Sequence, residues 1–174
     1  MGIRTHVCDI ANDALENREG LPYPVLRSNS TLFSGRLFQL DANYRATDGI
    51  TTPFNPAFIA RYGVEHPSVR GAKALSTAET GSWPSTASGN ATVVGVPLRP
   101  GLIILTTEYH TTGSYAANDP VTGVTGNGKF REASADALNE TIGFVLEEGW
   151  RVNQAYNTTR KMIKIYITRS GYGL

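Results

Sequence analysis

Three histidines, one cysteine and scattered carboxylates carry the obvious chemistry of this chain, and their spacing argues against most of it. His6, Cys8 and Asp9 form a tight polar group. A metal site needs three or four ligands with supporting partners, and His66 and His110 lie far away in sequence. Cys8 has no recognisable His and Asn constellation to make it a nucleophile. No Gly-rich phosphate loop, Ser elbow or paired-His motif occurs. Glu147 and Glu148 with Asp119 could in principle supply a glycosidase-like pair. Adjacent strand residues point to opposite faces, however, so Glu147 and Glu148 would not share a pocket. The expectation is a protein that is not an enzyme, with no metal and no cofactor.

Composition narrows the class further. At 174 residues the chain suits one ordinary domain with a real core, with room for an arm. An apolar fraction of 40% with 18 Gly and 9 Pro favours short strands and many turns. Sixteen Lys plus Arg against fifteen Asp plus Glu leave a net charge of +1. That supplies no field to hold a polyanion, so direct nucleic-acid binding is not expected. Arg160, Lys161, Lys164 and Arg169 are the best basic patch, but they flank an apolar strand and suit a role as gatekeepers against aggregation. With Cys8 the only cysteine, no intrachain disulfide can form. The N-terminus lacks an apolar leader, and no run approaches a membrane span, so no membrane partner and synthesis in a cytoplasm are expected.

The expected fold is mainly β: a small β-barrel or sandwich body with an extended N-terminal arm and long loops. Residues 1–40 are expected to form the arm and a first strand. Asp9 could cap a short helix carrying Ile10, Ala14 and Leu15, and Leu21 to Val25 is kept extended by Pro22 and Pro24. Residues 41–91 form a long loop-rich segment with Pro53, Pro56, Pro67 and Pro84, of a length uncommon in a compact domain unless it binds something. Residues 92–174 form the barrel-like body. Val93 to Val96 and Leu102 to Leu105 bracket a turn that opens it. Val121 to Thr125 and Lys129 to Ala133 make a hairpin about Gly126-Asn127-Gly128, because glycine tolerates the positive φ such turns need. Ser134 to Glu140 suits a helical turn. Val121, Val124, Phe130, Ile142, Phe144 and Leu146 are expected to share an apolar face, and Ile163, Ile165 and Ile167 line one face of the last strand.

Aromatic residues in the aperiodic region are the best candidates for a partner surface, since aromatics concentrate at interface centres. Tyr23, Tyr44, Phe54, Phe58, Tyr62 and Trp83 lie there.

The stretch from Pro97 to Trp150 resembles the β-domain of tailed-bacteriophage head decoration, or capsid cement, proteins. The residues that carry the resemblance are Pro100-Gly101, Asp119 to Thr122, Gly126 to Lys129, the alanine-rich Ser134 to Leu138, and Thr141 to Gly149. It implies a virion protein on the capsid exterior that bridges neighbouring major capsid protein subunits and associates with itself as a homodimer or homotrimer. On that reading Ile10, Leu15, Tyr23, Phe54, Phe58, Tyr62 and Trp83 contact the capsid. Ile163, Ile165 and Ile167, taken as exposed, mediate self-association by joining a neighbour's sheet. Two other classes compete. A carbohydrate-binding β-module of a phage fibre or lectin-like protein would stack sugars on Trp83, Tyr109, Tyr115 or Trp150. A small hydrolase would need a strongly perturbed carboxylate or His in a cleft.

Overall fold

The computed structural model describes residues 8–10, 25–28, 32–33, 35–51, 55–60, 91–133, 140–150 and 160–169. These residues are mainly β, and their strands fall into two modules. Five strands form the first: β2 (Val25–Ser28), β3 (Leu37–Leu40), β4 (Arg45–Asp48), β5 (Phe58–Ala60) and β6 (Ala91–Pro97). Their pairings run β2-β4-β3-β5-β6 and return to β2, a small closed barrel in which β2 and β4 are parallel and the other ladders antiparallel. Phe38 is wholly buried, lies against Gly95 of β6 and stacks on Phe58 at 5.4 Å between ring centroids.

The second module is a six-stranded antiparallel sheet in the order β1-β7-β11-β10-β8-β9. Its strands are β1 (Cys8–Ile10), β7 (Ile103–Thr106), β8 (Pro120–Gly123), β9 (Phe130–Glu132), β10 (Gly143–Trp150) and β11 (Met162–Ile167). The expected hairpin is present: β8 and β9 pair with Val121 opposite Glu132 and Gly123 opposite Phe130, and Gly126 and Gly128 take positive φ at the turn. The sheet then rolls. The segment continuing β7 comes round to β9, where the Phe130 amide donates to the Glu108 carbonyl and the His110 amide to the Phe130 carbonyl.

One apolar core serves both modules. Leu37, Ile50, Ile59 and Val96 from the barrel side form a single buried cluster with Ile104, Val121, Phe130, Val145, Ile163 and Ile165 of the sheet. Gly123 on β8 makes this possible, since a Cβ there would lie 2.7 Å from Ile50 Cδ1 and 2.8 Å from Leu37 Cδ1. Backbone bonds stitch the same seam: the Leu37 amide donates to the Gly128 carbonyl, and Gly49 bridges Thr125.

Several expectations change here. Barrel strands come from residues 25–60 as well as from β6, so the body is not confined to residues 92–174. The turn expected between β6 and β7 is the crossover from barrel to sheet. Its end is fixed on β11, with the Gly101 amide donating to the Ile167 carbonyl. Asp9 and Ile10 lie in strand β1 instead of opening a helix, because β7 offers them a ladder that a short isolated helix cannot match. The rest of that expected helix, and the helical turn at 134–139, fall outside the described residues. In β10 it is Val145 that points inward, while Phe144 is half-buried and Leu146 exposed. Gly143 lies so close to the Tyr166 carbonyl and Ile165 that a Cβ there would clash.

Candidate functional site

Among the described residues, a cluster of ionisable groups lies on the seam between barrel and sheet. Arg36 enters β3, Asp48 ends β4, and Glu108 follows β7. The Arg36 guanidinium donates from Nη1 to Asp48 Oδ2 at 2.8 Å and from Nε to Glu108 Oε2 at 3.0 Å. The Phe33 ring covers it, with its centroid 4.1 Å from the guanidinium carbon. Arg160, just before β11, donates to Glu108 Oε1 at 3.2 Å. The Glu108 side chain is wholly buried, and its charge is held by two guanidiniums, one on each carboxylate oxygen. Local backbone geometry supports the arrangement: the Glu108 amide donates to Thr106 Oγ1, whose hydroxyl donates to the Gly35 carbonyl.

Asp48 is tuned differently. Burial pushes its carboxyl up to about 6, the nearby Glu108 charge adds to that, and Arg36 pulls the other way. The perturbed carboxylate that a hydrolase needs is therefore present, but it faces Arg36, Glu108 and the Gly128 turn. The Arg36 fork bridges the two carboxylates. Such a cluster fixes charge and joins elements, and Asp48 can take a proton in mildly acidic solution.

A second polar group continues from Glu108. Tyr109 is buried, and its hydroxyl donates to Glu148 Oε1 at 3.4 Å. Burial first and Glu148 second push its phenol up to about 12. Tyr115 packs edge-on against it at 5.5 Å and donates to the His110 carbonyl at 2.8 Å. Burial, then Lys129 and Arg131, lower the His110 imidazole.

The residues singled out from sequence are dispersed. Phe58 is half-buried beside Phe38, and Ile10 lies in β1. Leu15, Tyr23, Phe54, Tyr62 and Trp83 are outside the described residues. Ile163, Ile165 and Ile167 are wholly buried on β11, which pairs with β10 on one side and β7 on the other. They cannot join a neighbour's sheet, and self-association through them is withdrawn. Tyr109 and Tyr115 are 1% and 8% exposed, which removes both as sugar platforms. Glu147 is exposed while Glu148 meets Tyr109, and Asp119 accepts from the Ala116 amide, so these carboxylates share no pocket. Cys8 is buried in the core, and no group of three or more metal-ligating side chains occurs among the described residues. No described helix is long and apolar enough to cross a membrane.

Arg36, Asp48 and Glu108 were missed in the sequence. Arg36 is 12 residues from Asp48 and 72 from Glu108, and neither spacing belongs to a local motif. No family model, curated protein or solved structure matches the chain.

Proposed function

We propose that this chain is a structural protein that decorates the exterior of a phage capsid and stabilises it by bridging neighbouring major capsid protein subunits. One observation carries the reading: segments that gave rise to the resemblance fall in order on the elements of one sheet module. Pro100-Gly101 is the crossover turn before β7, Asp119 to Thr122 leads into and forms most of β8, Gly126 to Lys129 is the hairpin turn, and Thr141 to Gly149 forms most of β10. The ion cluster fits the same role, because its Arg36–Glu108 bond ties one module to the other and so stiffens a body that must transmit load between subunits. Bridging follows from multivalency: once one contact is made, the next binds at high effective concentration.

Cosedimentation with expanded phage heads assembled without this chain, beside unexpanded heads, tests the proposal. Saturable binding to expanded heads is the expected result. Absence of binding to both would overturn it, and binding to a glycan array instead would favour the carbohydrate-binding reading.

A further inference from the structure

β1 is the end strand of its sheet, three residues long, with Cys8 opposite Thr106, Asp9 opposite Leu105 and Ile10 opposite Ile104 on β7. At the other end of the sheet β9 is covered by the chain that continues β7. Without β1, the edge of β7 would present a row of backbone donors and acceptors and an empty seat in the core where Cys8 now lies 8% exposed. That is a strand-acceptor site: main-chain bonds supply affinity, and one small apolar side chain supplies register.

We propose that this edge accepts β1 from a second copy of the chain, so that neighbouring copies exchange N-terminal strands. The contacts made in exchange are identical to those made within one chain, so swapping sacrifices none of them. β1 is joined to β2, a strand of the other module, through residues 11–24, which when extended reach about 45 Å. Docking within one chain therefore enjoys only the effective concentration of a tethered strand, on the order of millimolar. Copies crowded on a surface approach the same concentration. A three-residue end ladder also opens at less cost than the central strands, which gives exchange a route. The proposal does not depend on which surface the chain decorates.

Two chains that each carry one cysteine provide the test. The unaltered chain has Cys8; its partner carries Cys8→Ser with Thr106→Cys. Opposite residues of an antiparallel pair lie about 4.5–5.5 Å apart at Cα, inside the range a disulfide spans. Oxidising the mixture can form a Cys8-to-106 bond only between chains. We expect a covalent heterodimer about tenfold or more above a control in which the second cysteine is Tyr44→Cys, with a yield that rises with concentration. Tyr44 is 81% exposed and outside the ladder. Because Thr106 Oγ1 is itself hydrogen-bonded, the adjacent rung serves as a second pair, mixing Asp9→Cys with Leu105→Cys chains in a Cys8→Ser background. A heterodimer at either rung supports exchange. Yields at the control level on both rungs overturn it, as does an internal bond alone when Thr106→Cys is placed in the chain that keeps Cys8.

Discussion

Asp48 shows how a single side chain can add a pH response to the fold. Its carboxyl titrates near 6 in the folded protein and near 3.8 when unfolded, so between those values the folded state holds the extra proton. Stability from this group therefore rises as pH falls through 6 toward 4, the reverse of an ordinary salt-bridged aspartate. Urea midpoints of the natural chain and Asp48→Asn at pH 7 and pH 4.5 isolate it: the natural chain should gain on the variant at the lower pH, and parallel changes would refute the assignment. Arg36 makes the complementary case. Removing it as Arg36→Ala takes a guanidinium from two buried carboxylates, of which Glu108 keeps Arg160, and should cost about 3 kcal/mol at pH 7. Glu108→Gln keeps the shape but only one of the two acceptor oxygens, setting an amide NH2 against the other guanidinium, and should cost about 1–3 kcal/mol. None of this was legible in the sequence, where Arg36 falls in a strand-like stretch and Glu108 opens a polar loop, and the two meet only because the barrel lies against the sheet. The buried isoleucines of β11 were legible as a face but not as a location, since period-two spacing cannot say whether a strand is central or at an edge.

At the scale of elements, the hairpin and the last strand could be read because their signals are local: glycine at the turn, alternation in the strand. The barrel could not, because its strands are three or four residues apart from β6, too short to show a period, and because β2 pairs with β4 and β6 across long separations in sequence. Two glycines separate backbone strain from packing. Gly101 has φ +94° with open space where a Cβ would stand, so Gly101→Ala should cost about 1 kcal/mol from the backbone alone. Gly49 has φ +93°, and a Cβ would meet the Gly126 amide at 2.5 Å and the Val124 carbonyl at 2.7 Å. Gly49→Ala must also push the hairpin turn away from the barrel, and its cost should exceed that of Gly101→Ala by about 2 kcal/mol. Equal unfolding midpoints for the two variants would show that the turn gives way freely.

The whole molecule is tied together where the sequence suggested a division. The expected boundary at residue 92 followed a change in composition, whereas the core ignores it: Leu37 and Ile50 pack in the same cluster as Val121 and Phe130. With Arg36 bonded to Glu108 and the Leu37 amide bonded to the Gly128 carbonyl, unfolding the barrel would expose the sheet's inner face and take one of two guanidiniums from Glu108. Partial unfolding is thus penalised from both sides, and the two modules should melt as one. Calorimetry should give a single transition with calorimetric and van't Hoff enthalpies in agreement. Ile50→Ala, which opens a cavity on the seam, should lower that transition by about 2–5 kcal/mol without splitting it. Two peaks, with Ile50→Ala shifting only one, would mean that the modules fold independently. A decorating protein built that way would yield at its own seam before it reinforced anything, so this measurement bears on the proposed function as directly as binding does.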